Sequence, residues 1–172
     1  MCHDFHYSRF RSPIGMIGLI SFRGKLIHLL FLKTEKELLT KVLTQITATS
    51  GSLPVEDAGP FKYWRNLLDR YFCGERVLFN EPVDLKKGTV LQKVIWDKIA
   101  QIPYGMVQSY QDIANQLGMK KSARVVGGAC GVNPIPIIIP CHRVVHQNGS
   151  LGGYRCGIKI KQELLAIEGT HL

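Results

Sequence analysis

Strand-type and helix-type hydrophobic spacing are segregated along this sequence, and that segregation limits the possible folds more than any other feature. Up to residue 32, β-prone runs alternate with turn signals. Residues 5–10 are followed by a break at Ser12-Pro13-Ile14-Gly15, residues 16–22 by a tight turn at Arg23-Gly24-Lys25, and residues 26–32 complete the set. This predicts a small antiparallel sheet. Thr34-x-x-Glu37 has the form of a capping box, and Leu38, Leu39, Val42, Leu43 and Ile46 then recur at helical spacing until Ser50-Gly51-Ser52, predicting a helix that covers the sheet. Phe61, Trp64, Leu67, Leu68, Tyr71 and Phe72 mark a second amphipathic helix, stopped at Gly74. The polar stretch Glu81-Pro82-Val83-Asp84-Leu85-Lys86-Lys87-Gly88 is the natural boundary, giving an N-terminal α/β domain at 1–84 and a C-terminal domain at 85–172.

Strand signals vanish beyond that boundary. Thr89 can cap a helix carrying Leu91, Val94, Ile95, Trp96 and Ile99, closed by Pro103-Tyr104-Gly105. A short helix then runs from Ser109 to a glycine stop at Gly118, and Ser122 can cap another through Ala123, Val125, Val126 and Ala129. Two short helices joined at a glycine turn form a helix-turn-helix pattern. Lys120, Lys121 and Arg124 stand at the start of the second helix, where the dipole also favours phosphate. After Arg124 that helix offers Val125, Val126, Gly127, Gly128, Ala129 and Cys130, with no Asn, Gln or Lys to pair with base edges. It suits a reader of backbone and deformability, with Arg124 as the one long side chain able to enter a duplex. The plainer alternative is that the glycines allow helix–helix contact and Arg124 is solvated.

With 172 residues, 45% of them apolar, the chain can bury a core. No window approaches the roughly 20 uninterrupted apolar residues of a membrane helix, and the first six residues have nothing of a signal peptide. The expected location is the cytoplasm, or the nucleus of a eukaryote. Cys2, Cys73, Cys130, Cys141 and Cys156 are odd in number, scattered and free of Cys-x-x-Cys spacing, which argues for reduced thiols over a disulfide framework or a zinc ribbon. A net charge of +9 implies a polyanionic partner, nucleic acid first, because Lys and Arg near phosphates release condensed counterions.

Chemistry concentrates at Pro140-Cys141-His142-Arg143, after the turn-like Val132-Asn133-Pro134-Ile135-Pro136 and the apolar run Ile137-Ile138-Ile139, which is expected to be buried. A cysteine among Ile and Val is ordinarily inert packing. Here His142 and Arg143 are the cation and imidazole neighbours that favour the reactive thiolate. Adjacent side chains diverge by about 100° in a helix and oppose each other in a strand, so His142 is expected to act on Cys141 through a water, with a carboxylate fixing its tautomer.

The nonapeptide 137–145, Ile-Ile-Ile-Pro-Cys-His-Arg-Val-Val, resembles the active-site signature of the O6-alkylguanine-DNA alkyltransferases, also called methylated-DNA–protein-cysteine methyltransferases. Further blocks resemble the family in order: Gly88-Thr89, Trp96, Ile102-Pro103-Tyr104-Gly105, Ser109-Tyr110, Ala123-Arg124-Val125-Val126-Gly127-Gly128-Ala129, Asn133-Pro134, Gly149-Ser150-Leu151, and Leu164-Leu165 through Glu168. The resemblance implies an α+β protein with a ribonuclease-H-like N-terminal domain and a mainly helical, winged-helix-like C-terminal domain. It implies a monomer on double-stranded DNA with alkylated bases, needing no cofactor and no membrane. By it Cys141 accepts the alkyl group irreversibly, His142 is the water-linked base, Glu168 orients His142, and Asn133 braces the turn. Tyr110 displaces the 3′ phosphate and helps protonate the leaving guanine, while Arg124 fills the space left by the flipped base. Ser109, Lys120, Lys121, Ser122, Ala123 and Gly127 complete the DNA surface. Tyr154, Val144, Gly152, Gly153 and Arg155 wall the base pocket. The implied substrates are O6-methylguanine and, less efficiently, O4-methylthymine.

Arg155 and Cys156 depart from many relatives, which leaves the tolerance for bulky alkyl groups open. Cys2, His3 and His6 are metal-type residues near the terminus, in the domain where mammalian relatives hold zinc, but they do not amount to a site. Three other readings compete. A lesion sensor of the same superfamily would carry Trp in place of Cys141, a helix-turn-helix regulator would prefer one DNA sequence, and a cysteine hydrolase would turn over repeatedly.

Overall fold

A computed structural model describes residues 4–32, 34, 44, 46–47, 53–170 and 172. The chain divides into two compact units, Met1–Asp84 and Leu85–Leu172.

In the first unit, β1 (Phe5–Ser12), β2 (Gly15–Phe22) and β3 (Lys25–Leu32) form an antiparallel meander with turns where the sequence signals them. Arg23 and Gly24 have φ of 49° and 76°, as a two-residue type I′ hairpin demands. The sheet is not wholly antiparallel, which corrects the expectation. A two-residue strand, β4 (Val55–Glu56), runs parallel to β1, giving the order β3-β2-β1-β4. A strand that short has no period for a sequence pattern to reveal. The central strand β2 is buried at every position from 17 to 21, so both its faces are covered. Ile20 packs with Tyr7, Leu32 and Ile46 in one cluster. The helix expected over 34–50 falls mostly outside the described residues, of which Thr44, Ile46 and Thr47 are helical. Helix α1 (Lys62–Phe72) buries Trp64, Leu67, Leu68 and Tyr71, the face predicted from their spacing, and Arg65 lies 4.0 Å over the Phe10 ring of β1.

In the second unit, α2 (Val90–Ala100) opens with a capping box. Thr89 Oγ1 accepts from Gln92 N at 3.2 Å, and Gln92 Oε1 accepts from Thr89 N at 2.9 Å. On α2, Trp96 is buried and donates its indole N–H to Ala129 O at 2.9 Å. A Cβ on Gly88 would meet the Trp96 ring at 2.4 Å, so only glycine fits there. Helix α3 (Tyr110–Gln116) has its own capping box between Ser109 and Asp112, and α4 (Ala123–Gly131) follows the turn at Gly118. The expected Ser122 cap does not form. Its hydroxyl donates instead to Lys120 O at 3.2 Å, and α4 begins without a side-chain cap. The last helix is α5 (Ile158–Ile167).

The half without strand signals nonetheless holds one parallel pair, β5 (Gln108–Ser109) with β6 (Val144–Val145). This two-rung ladder positions the site, because it sets the residue before α3 beside the residues that follow Cys141-His142-Arg143. No helix among the described residues is long and apolar enough to cross a membrane.

Candidate active site

Asn133 organises the chain between α4 and β6. Its Oδ1 accepts from Ile135 N at 3.0 Å, and its Nδ2 donates to Ile139 O at 2.8 Å and to Cys141 Sγ at 3.0 Å. Ile139 N closes the same turn on Ile135 O at 2.9 Å. Inside it, Ile137 adopts φ 74°, a region that β-branched residues avoid at a cost on the order of 1–3 kcal/mol. The apolar run is thus a braced turn, with Ile137 and Ile139 buried and Ile138 only partly so. One amide side chain fixes both the turn and the sulfur.

Cys141, His142 and Arg143 form a single 3-10 turn with all three side chains buried. Glu168, the C-cap residue of α5, receives four hydrogen bonds on its two carboxylate oxygens. His142 Nε2 lies 2.7 Å from Oε1, Arg143 Nε and Nη2 donate to Oε2 and Oε1 at 2.9 Å each, and Gly105 N donates to Oε2 at 3.1 Å. Gly105 sits at φ 76°, where a Cβ would approach Glu168 O at 3.0 Å, so this amide donor has to be glycine. Arg143 Nη1 also donates to Ile102 O at 2.5 Å, and Tyr104 Oη to Ile167 O at 2.8 Å. The 102–105 turn and the end of α5 are thereby bound to the active-site turn.

The cation beside the sulfur is not the one expected. Arg143, expected to favour the thiolate, is spent on Glu168 and Ile102. Lys161 takes that part, fully buried on α5 and donating to Val144 O at 2.6 Å and to Leu151 O. Its helical spacing contained the signal, since Lys161, Leu164, Leu165 and Glu168 fall at i, i+3, i+4 and i+7 on one face.

Burial pushes the Cys141 thiol up, while the Asn133 amide, the Lys161 charge and the Tyr154 hydroxyl pull it back. Burial lowers His142 despite its bond to Glu168. Burial also works against ionised Glu168, but the hydrogen bonds from His142 and Arg143 override it and hold the carboxyl down at about 2. Burial brings Lys161 down to about 8, against the pull of Cys130 and Cys141. The site therefore pairs a protonated thiol with a neutral imidazole. With Glu168 ionised, His142 Nε2–H donates to it and the basic lone pair lies on Nδ1.

A cleft of about 570 Å³ lies in the same unit. The expected DNA or pocket residues Tyr110, Ala123, Arg124, Gly127, Gly153, Tyr154 and Arg155 line it, together with Cys130, Gly131 and His146, which sequence reading missed. Val144 and Gly152 do not line it, although both were expected in the pocket wall. Val144 is fully buried, paired in β6 with Gln108. Gly152 packs where a Cβ would lie 3.0 Å from His146 Nε2 and 3.1 Å from Tyr110 Oη. The Tyr110 ring leans on His146 with centroids 5.4 Å apart, and burial, with the thiols Cys130 and Cys141 adding, pushes its hydroxyl up to about 12, where it remains a proton donor. Ser109 is buried with its hydroxyl committed to Asp112 Oδ2 at 2.7 Å. Lys120 and Lys121 are exposed beside the start of α4, and Ser122 is half-buried. Among the described residues no three His, Cys, Asp or Glu side chains gather in a group that could hold a metal, and Cys2 and His3 lie outside those residues.

Comparison with known proteins bears on both units. Residues 90–170 match the family model "6-O-methylguanine DNA methyltransferase, DNA binding domain", and residues 5–85 match "6-O-methylguanine DNA methyltransferase, ribonuclease-like domain". A methylated-DNA–protein-cysteine methyltransferase of Methanosarcina acetivorans is 37% identical over 168 residues, covering 96% of this chain and 99% of its own. One from Mycobacterium tuberculosis is 39% identical, covering 95% and 92%. Among solved structures, that of Mycobacterium tuberculosis OGT in complex with DNA matches with a TM-score of 0.80 at 38% identity, covering 95% of this chain and 92% of that one. The O6-methylguanine-DNA methyltransferase of Pyrococcus kodakaraensis matches with 0.73 at 27%, covering 96% and 99%.

Proposed function

The chain belongs to the methylated-DNA–protein-cysteine methyltransferase family, and from that premise we propose that it repairs double-stranded DNA by taking the alkyl group of an O6-alkylguanine onto Cys141, once per molecule. The observation that carries this reading is the buried relay in which Asn133 holds the sulfur while Arg143 and Glu168 hold the His142 imidazole.

A thiol raised by burial does not ionise unaided near neutral pH, so transfer begins with its proton passing through a water to His142 Nδ1. The imidazolium that forms is stabilised by Glu168, already ionised and fixed in place by Arg143. The sulfur then forms a bond to the alkyl carbon as the carbon–O6 bond breaks, and the electron pair returns to guanine, which takes a proton from Tyr110. The product is a thioether with no easy reversal, so the protein is consumed.

An alkyl group on a stacked base lies out of reach of a buried sulfur, so the nucleotide turns out of the duplex, at a few kcal/mol for unstacking. Arg124, exposed on α4 between Ala123 and the small residues after it, fills the gap, and Tyr110 displaces the 3′ phosphate. Lys120 and Lys121 meet the backbone. O4-methylthymine enters the same cleft and reacts more slowly. The protein works as a monomer, in the cytoplasm or nucleus, without a cofactor.

Duplex DNA carrying a labelled O6-methylguanine tests the proposal. Label is expected on Cys141 at one equivalent by peptide mapping. Turnover beyond one equivalent, or label retained by Cys141→Ala, would overturn it.

A further inference from the structure

One wall of the cleft is a turn at 154–157, closed by Gly157 N donating to Tyr154 O at 2.9 Å. The loop leading into it is held by Lys161 on Leu151 O and by His146 N on Ser150 O at 2.8 Å. Arg155 occupies the second position of that turn and lines the cleft, and it is exposed. Among the described residues its guanidinium makes no hydrogen bond and no ion pair. Neither Asp nor Glu lines the cleft, and its other guanidinium is Arg124, which the alkyl-transfer reading assigns to the duplex. Arg155 is therefore the guanidinium of the cleft wall left to meet a group carried by the extruded base, while the Lys161 ammonium is buried and bonded to Val144 O and Leu151 O. The chain neighbour of Arg155, Tyr154, lines the same cleft, and the Tyr154 hydroxyl is among the groups that draw the Cys141 thiol back down, which ties the turn to the reacting atom. An unpaired, planar guanidinium recognises carboxylates through two parallel hydrogen bonds.

We infer that Arg155 forms a subsite for a negatively charged alkyl group, so that O6-carboxyalkylguanines are selected over neutral adducts of the same size. This rests on the alkyl-transfer reading and adds a substrate class to it. A carboxylate beside the reacting carbon repels an incoming thiolate, and the guanidinium offsets that repulsion. In the step itself the sulfur bonds to the methylene carbon, the carbon–O6 bond breaks, and guanine takes up the pair and a proton, the thiol proton having passed to His142. The products are S-carboxymethylcysteine and guanine.

Single-turnover rates on duplexes carrying O6-carboxymethylguanine or its neutral isostere O6-carbamoylmethylguanine test the subsite. The charged-to-neutral rate ratio is expected to fall on the order of tenfold in Arg155→Gln and to be partly retained in Arg155→Lys. A ratio that Arg155→Gln leaves unchanged overturns the subsite, including the case where both substrates slow equally because Arg155 touches phosphate. Wild-type transfer from O6-methylguanine, run alongside, separates the two claims. Its absence overturns the alkyl-transfer reading and the subsite with it, whereas its presence with an unchanged ratio overturns the subsite alone.

Discussion

The two units solve opposite problems with similar numbers of basic residues. Residues 1–84 hold eleven Lys and Arg against nine Asp and Glu, and residues 85–172 hold eleven against four. In the first unit four of the six arginines are matched at the surface: Arg9 with Glu56, Arg23 with Asp4, Arg65 with Asp69 and Arg70 with Glu75. In the second, Lys120, Lys121, Arg124 and Arg155 have no carboxylate partner among the described residues, while the ion pairs lie inside, on Glu168. Six of the seven buried polar residues described, all but Ser21, belong to the second unit. Among the described residues the first unit therefore has an essentially apolar interior with most of its arginines paired outside, and the second accepts the desolvation cost of buried charge to build a site and leaves its surface cations for an outside anion.

The sharpest way to break this contrast is Glu168→Gln. Removing the charge strands Arg143 and unfixes His142, so stability should fall by about 3–5 kcal/mol and transfer by on the order of a hundredfold, read from denaturant midpoints and labelled-DNA kinetics. The pH dependence follows in sign. Folded Glu168 titrates near 2, below its ordinary 4.5, so its stabilisation is present above the ordinary value and is lost as pH falls from 4.5 toward 2. Acid titration of Glu168→Gln should lack that component; an identical acid limb in both proteins would remove Glu168 from the centre of the second unit.

Leu68→Ala addresses the first unit. Leu68 is fully buried on α1, and its truncation should cost about 2–5 kcal/mol while leaving the transfer rate per folded molecule unaltered. A slowed rate at full folding would mean the units are not separable in function.

How much of this contrast is legible in sequence depends on the range of the interaction. The α1 face, the hairpin at Arg23-Gly24 and the cap at Thr89 are set by residues within a turn of one another, and each was readable from spacing. The family signature named Cys141, His142, Asn133 and Glu168, but not the bond from Asn133 to the sulfur or the transfer of Arg143 from thiol to carboxylate. Those depend on which way side chains leave a 3-10 turn, and no periodicity encodes that. The β5–β6 ladder joins segments far apart in sequence and is two residues long, so it leaves no trace in either.

Arg124→Ala should produce a smaller effect, on the order of tenfold slower repair in duplex DNA with little change toward the free alkylated base, together with a shallower dependence of DNA binding on salt. Equal slowing on both substrates would take Arg124 out of the duplex. The smallest effect belongs to Arg65→Ala, whose exposed pair with Asp69 should be worth less than about 0.5 kcal/mol in a denaturation midpoint. A larger loss would assign weight to the 4.0 Å stack on Phe10 rather than to the ion pair.

The position of Glu168 downstream of the thiol has a consequence in time. Translation reaches Cys141 and His142 first, and twenty-six residues separate His142 from the carboxylate that orients it. Until Glu168 is in place, the thiol and imidazole lack the carboxylate that fixes them. For a molecule able to react only once, that order makes the residue that readies the thiol the last part of the site to be synthesised.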